Sequence, residues 1–126
     1  MDPSTAQSSL QVTDAQSAAV ATHPRVSLAD IEGKIATVNY LNAFDAVEAA
    51  GAPAHSSLAV LTLCLIVMAN GFTVIGKSAP ASPENFNADL GRQFAREDAI
   101  RQIWPLEGYA LRERIMAAED LANPFD

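Results

Sequence analysis

Apolar residues recur every three or four positions between residues 26 and 50, which is the spacing of an amphipathic helix. Ser27, with Asp30 three residues later, forms a weak capping box at the start of this segment, and Gly51 stands where the helix would end. We therefore predict an amphipathic N-terminal helix, which Gly33 and Asn39 weaken and which can break near Asn42. Its inward face consists of Ile31, Ile35, Val38, Leu41, Phe44 and Val47.

A second pattern follows, in which residues 57–68 are apolar at nearly every position but too few to cross a bilayer as a helix. Asn70-Gly71 comes next and favours a tight turn, so we predict a β-hairpin. A strand that is apolar on both faces must be covered on both faces, and a homo-oligomeric interface is the expected second cover. The expected cross-strand pairs are Val67 with Val74 and Met68 with Thr73.

The C-terminal third reads as two helices. Ser82-Pro83-Glu84 has the cap, the proline and the acidic residue of a helix start, and the helix runs to Trp104. Pro105 is expected to break it, and a final helix spans about residues 106–121. The predicted fold class is therefore α+β, with an amphipathic N-terminal helix, a central β-hairpin and two C-terminal helices, assembled as a homo-oligomer.

The ordered part is expected to be one domain over residues 26–121. Residues 1–25 are rich in Ser, Thr, Ala and Gln and contain no aromatic residue, so we predict a disordered arm. This arm lacks the basic start and continuous apolar centre of a signal peptide. Residues 122–126 are expected to fray.

Charge and composition argue against several classes of function. The 126 residues include 8 Lys and Arg against 15 Asp and Glu, for a net charge of −7. Such a balance argues against binding to DNA or to an anionic membrane, because phosphate neutralisation needs surplus cations. A single cysteine, Cys64, and two histidines argue against a metal centre, and we expect no cofactor.

The chain also lacks the sequence signatures of common enzymes, so we expect a protein that is not an enzyme. His55-Ser56-Ser57 reads as a loop before a strand, and Cys64 as a buried, inert thiol. The carboxylate pairs Glu97-Asp98 and Glu119-Asp120 read as solvated helix surface.

One constellation suits a small phosphate ligand. The helix start at Ser82 offers free backbone N–H groups and the positive end of a helix dipole, and an acidic protein needs local arginines to hold a phosphate. The alternative is that these arginines pair with Asp89, Glu97 and Asp98, while Phe72 is either a core residue or a stacking surface for a base. The candidate binding residues are Phe72, Lys77, Ser78, Ser82, Asn85, Arg92, Arg96 and Arg101.

Three motifs in fixed order resemble a family of small tailed-phage and prophage proteins. They are Asn70-Gly71-Phe72, Ser82-Pro83-Glu84-Asn85-Phe86 and Ile103-Trp104-Pro105-Leu106-Glu107-Gly108-Tyr109, and the likeness covers about residues 27–115. One branch of that family is similar to the Thoeris anti-defence sponges. Those proteins bind a cyclic ADP-ribose isomer made by bacterial TIR-domain enzymes, without cleaving it, in pockets shared between subunits. Some also hold cyclic oligonucleotides at a separate site.

The resemblance implies roles for individual residues. Phe72 would stack on the adenine, Asn85 matches the motif around the binding loop, and Arg92, Arg96 and Arg101 are candidates for the pyrophosphate. Ser82 stands where many relatives are expected to have Asn or Asp, and Pro80 where the family often has Cys.

The implied function is a phage anti-defence sponge in the host bacterial cytoplasm, with a cyclic nucleotide and further copies of itself, as a dimer or a higher oligomer such as a hexamer, for partners. The alternatives are an acidic inhibitor of a host enzyme and an enzyme that degrades the nucleotide.

Overall fold

Three antiparallel strands, in the order β1-β2-β3, form the sheet around which the chain folds. The computed structural model describes residues 8–122 and confirms the α+β class. The strands are β1 (Ile35–Asn42), β2 (Thr62–Met68) and β3 (Thr73–Ser78). The helices are α1 (Ser9–Val20), α2 (Leu28–Gly33), α3 (Ala43–Ala49) and α4 (Ala88–Ala122), with 3₁₀ turns at Ser56–Val60 and Pro83–Asn85.

The core lies between one face of the sheet and the first half of α4. Side chains of β2 alternate across the sheet, so Thr62, Cys64, Ile66 and Met68 are buried while the residues between them are half-buried. From α4, the buried apolar residues are Ala95, Ala99, Ile100 and Ile103. The opposite face of β2 is not covered by any described element to the same degree, so the predicted second cover stays a prediction.

Helix α4 lies unusually close to β3 at Gly76. A Cβ atom built on Gly76 would overlap the carbonyl oxygen of Ala95 and lie 2.6 Å from the amide nitrogen of Ala99. Both obstacles are backbone atoms of a packed helix, so they cannot turn aside as a side chain would. The absence of a side chain at Gly76 therefore sets the distance between helix and sheet.

The predicted N-terminal helix is wrong for residues 35–42, which form β1, but helix resumes at α3, directly after Asn42. A β-bulge between Ile35 and Thr37 shifts the alternation of the strand, so Ile35 and Val38 both pack against the core although they are three residues apart. That spacing resembles a helical one. Pairing with β2 therefore determines the conformation of β1 in spite of the helical spacing. The strand conformation also suits the Ile, Thr, Val and Tyr residues of β1, which have high strand propensity.

The hairpin is confirmed, but its register differs by one residue from the prediction. Val67 pairs with Thr73, and the amide of Met68 donates to the carbonyl of Phe72 at 2.8 Å. Only Gly71 in this turn has a positive φ, at 88°, and Asn70 does not. A two-residue turn with two positive φ angles is thereby excluded, and a three-residue loop takes its place.

A single C-terminal helix replaces the predicted pair, because α4 continues through Pro105. The proline removes the donor for the carbonyl of Arg101, but both residues are exposed, so water can satisfy that carbonyl.

Helix α4 does not start at Ser82, where the sequence predicts a helix start. Its side chain makes no cap bond, the 3₁₀ turn ends at Asn85, and Asn87 caps α4 by accepting from the amide of Leu90 at 3.0 Å.

The prediction of a disordered arm is wrong for residues 9–20, which form α1. Ser8 and Gln11 form a capping box, and Leu10 enters the core formed by the rest of the chain. Asp14 accepts from Arg25 at 2.8 Å and from the amide of Leu28 at 3.1 Å. The hydrogen bond from Arg25 lowers the pKa of Asp14, so its support for α1 is lost as the pH falls. Residues 1–7 and 123–126 lie outside the described residues, while Ala122 is the last residue of α4.

Gly76→Ala should destabilise the protein by about 3 kcal/mol, the upper end for overpacking, because its methyl group meets immovable backbone. Urea unfolding followed by circular dichroism measures this change. Gly108→Ala is the matched control. It lies inside α4 with nothing within 4 Å of the new methyl, so it should stabilise the protein by about 0.5–1 kcal/mol. Equal stability of the two variants would contradict the proposed close approach.

Candidate functional site

The eight residues predicted for the site lie in three places on the protein. Phe72 is at the hairpin tip. Arg101 is on the side of α4 that meets α1, where it donates to the hydroxyl of Ser9 at 3.0 Å and lies 3.7 Å from the carboxylate of Glu97. The others surround the start of α4 and the end of β3: Lys77, Ser78, Ser82, Asn85, Arg92 and Arg96.

Phe72 is 53 % exposed, so it is a surface residue rather than a core residue. It lines a groove of about 490 Å³ between the hairpin tip and the middle of α4, together with the apolar side chains of Met68, Ile103 and Leu106. Lys34 and Glu107 form an ion pair at the same groove. The groove thus offers an aromatic ring, an apolar floor and a paired charge, which suits a flat apolar group with a polar edge.

Arg96 is the exception among the three predicted arginines. Arg92 pairs with Asp89 and Arg101 with Glu97, as expected for solvated helix surface. For Arg96, no ion pair occurs within residues 8–122. The half-buried Arg96 therefore keeps its charge available in a chain with net charge −7.

Tyr40 of β1 lies beside these arginines. Burial raises the pKa of Tyr40, while the charges of Arg96 and Arg92 act in the opposite direction. Tyr40 and Arg92 also line one cavity of about 90 Å³, together with Thr62 and Phe86. We call Tyr40, Thr62, Arg92 and Arg96 the cationic corner.

The cationic corner has the chemistry of an anion site but not the size of a nucleotide pocket. Two guanidinium groups one helical turn apart provide fork-shaped donors, and the hydroxyls of Tyr40 and Thr62 add polar contacts. Its cavity of about 90 Å³ is far below the ~300–1,000 Å³ of typical small-molecule pockets. Within one protomer, the corner fits a phosphate group and not a whole dinucleotide.

Ser82 and Asn85 are exposed at the 3₁₀ turn. Their predicted role at a helix N-terminus is wrong, because no α-helix begins there. Ser78 lines a groove of about 240 Å³ together with Phe86 and Phe94. The amide of Lys77 donates to Asp98 at 2.9 Å, and its side chain is on the uncovered face of the sheet. These four residues stay candidates by their nearness to the cationic corner.

Phe72 and the cationic corner lie at opposite ends of β3. Tyr40 is level with Gly76 and Thr62 with Ser78, four and six residues beyond Phe72. Because a strand rises ~3.3 Å per residue, the corner and Phe72 are about 13–20 Å apart along the strand. A single protomer therefore does not bring the aromatic ring and the arginines around one small ligand.

Sequence reasoning missed Tyr40 and Thr62 as members of the corner. The spacing of apolar residues predicts a helix over residues 35–42, and a helix there gives no reason to place Tyr40 beside the arginines. Thr62 is a polar residue at the start of an otherwise apolar strand, and the apolar pattern gives it no binding role. The expectation for Cys64 is confirmed, since the thiol is fully buried and burial raises its pKa, with the charge of Arg96 acting in the opposite direction.

The chain belongs to the phage protein (N4 Gp49/phage Sf6 gene 66) family, whose model matches residues 26–115. The matched range contains β1, β2, β3 and most of α4, and it excludes α1. No curated protein and no solved structure matches the chain significantly. Within residues 8–122, no helix has the length and apolar character needed to cross a membrane.

Proposed function

We propose that this phage protein binds a cyclic ADP-ribose-type immune signal and holds it without cleaving it, as an anti-defence sponge in the host bacterial cytoplasm. Membership of a phage family and the motifs around Phe72, Ser82 and Trp104 support this proposal. Cyclic oligonucleotides are further candidate ligands. Sequestration needs tight binding, on the order of −8 to −12 kcal/mol, and slow release.

The observation that carries the proposal is the charge of Arg96, which forms no ion pair with any residue between 8 and 122 and lies beside Arg92 and Tyr40. In a protein with a net charge of −7, a half-buried guanidinium that no described carboxylate neutralises is a favourable place for an anion. A pyrophosphate is the anion that fits best, because Arg96 can bind one phosphate through two parallel hydrogen bonds, and the neighbouring Arg92 can exchange its exposed pair with Asp89 for the other phosphate.

The groove at Phe72 is the proposed binding place for the base of the ligand. Its volume of about 490 Å³ is within the range of small-molecule pockets, and an exposed aromatic ring is a stacking surface for adenine. Because this groove and the cationic corner are about 13–20 Å apart on one protomer, the proposal requires a pocket that two copies share. A homo-oligomer, dimeric or larger, is therefore part of the proposal.

A release assay separates a sponge from an enzyme. The full chain is incubated with cyclic ADP-ribose isomers, excess nucleotide is removed, and the protein is denatured by heat. A sponge returns the cyclic nucleotide intact by mass spectrometry, in molar proportion to the protein. Recovery of a linear product identifies a degrading enzyme, and recovery of nothing leaves the acidic protein-binding inhibitor as the better account.

Phe72→Ala should weaken nucleotide binding by about 1–3 kcal/mol, because a base loses its stacking surface. Isothermal titration calorimetry measures the loss. Tyr109→Ala is the matched control, since Tyr109 is an aromatic residue of α4 that is 72 % exposed and does not line the groove. Unchanged affinity in a folded Phe72→Ala protein would remove Phe72 from the site.

Arg96→Ala should weaken binding by about 2 kcal/mol at low salt, because a charge-assisted hydrogen bond to phosphate is lost. The difference from the unmodified protein should shrink as the salt concentration rises, since screening weakens the interaction that the arginine provides. Arg114→Ala, at an exposed position near the C-terminal end of α4, is the control. A loss that does not depend on salt would indicate a packing role for Arg96 instead.

A further inference from the structure

The two edge strands of the sheet, β1 and β3, differ in how much of their outward backbone the rest of the protein covers. Along β3, two of the backbone groups that point away from β2 meet side chains of α4. The amide of Lys77 donates to Asp98 at 2.9 Å, and the side-chain amide of Gln102 donates to the carbonyl of Ile75 at 2.8 Å. Helix α4 therefore blocks a further strand from pairing with β3 at Ile75 and Lys77.

The edge at β1 has no such cover. Antiparallel pairs alternate between residues that exchange backbone hydrogen bonds and residues that do not. The amide of Ala43 donates to Leu61 at 2.9 Å, so Leu41 and Asn39 also face β2, and the backbone groups of Val38 and Tyr40 point outward. In the part of the chain that the structure describes, no hydrogen bond reaches these outward groups.

Strand β1 also lacks the features that protect natural edges. Its eight residues, IATVNYLN, contain no charge and no proline, and it is the longest strand of the sheet. Edge strands in soluble proteins are usually short, charged or interrupted, because an open row of amides and carbonyls is a template for pairing. The single irregularity, the bulge between Ile35 and Thr37, lies at the beginning of the strand and leaves the rest open.

We propose that β1 pairs antiparallel with β1 of a second copy, giving one continuous six-stranded sheet. A two-fold axis at Asn39 places Val38 opposite Tyr40 of the partner subunit, and both residues carry outward backbone groups. An uncharged strand pairs with itself without bringing like charges together, although the chain has a net charge of −7. This self-complementarity is why a second copy, rather than a strand of another protein, is the occupant.

The pairing also completes the surroundings of the cationic corner. Tyr40 lies on this edge and is 37 % exposed, so the second copy would extend the wall of the small cavity beside it. The edge pairing does not depend on the identity of the ligand. It can be tested without any nucleotide.

Asn39→Cys in the full chain is the direct test. Residues opposite each other at a position without backbone hydrogen bonds have Cα atoms about 4.5 Å apart, within the ~4.4–6.8 Å that a disulfide spans. Mild oxidation should therefore yield a covalent dimer on a non-reducing gel, reversible by dithiothreitol. Thr73→Cys, at an exposed position on the other edge strand, is the control and should cross-link about tenfold more slowly or not at all. The native Cys64 is buried and does not interfere.

Amide exchange in the unmodified protein provides a second test that no substitution can disturb. The amides of Val38 and Tyr40 should exchange at least about tenfold more slowly than that of Thr73, because strand pairing protects them, whereas the amide of Thr73 points outward at a part of β3 that α4 does not block. Fast exchange at Val38 and Tyr40, or equal cross-linking of Asn39→Cys and Thr73→Cys, would overturn the proposal. Protection by a different protein is excluded when the purified chain has the mass of a dimer by light scattering. A monomeric mass at the concentration of the exchange experiment would likewise overturn it.

Discussion

The close approach of α4 to β3 at Gly76 determines where the side chains of α4 lie relative to the sheet. With no side chain at Gly76, the helix backbone rests against the strand, and Ala95 and Ala99 provide small contacts on the other side. Small residues on both elements fix the helix position along the strand as well as its distance from it. Arg92 and Arg96 are thereby held toward β1, Asp98 and Gln102 over the outer edge of β3, and Leu106 and Glu107 beside the hairpin tip.

Much of the central fold follows from sequence patterns that are local. The hairpin between β2 and β3 has a strong turn dipeptide, and the apolar run of β2 predicts a buried strand including Cys64, although only the structure shows which of its two faces is the more buried. The register was wrong because the conformation of Asn70 depends on the completed hairpin and not on its residue type. Helix α4 was divided at Pro105 because a proline usually ends a helix, and only its exposure to solvent makes this one tolerable.

Strand β1 marks the limit of such reasoning. Its bulge creates a helical spacing between Ile35 and Val38, and its strand conformation depends on β2, which lies more than twenty residues further along the chain. The same error hid Tyr40 from the candidate site. Helix α1 was missed for a related reason, because Leu10 and Asp14 find their partners in distant parts of the protein. The arginine pairs were more accessible to prediction, since Arg92 with Asp89 and Arg101 with Glu97 are helical neighbours.

The capped edge of β3 has a consequence for the size that an assembly can reach. A sheet that is open at both sides can add neighbours indefinitely and grow into a fibre, whereas a sheet with one blocked side stops after a single addition. Asp98 and Gln102 thus prevent a further strand from pairing with β3. Any larger particle must be built through other surfaces, and the number of subunits is then set by closed symmetry and not by protein concentration alone.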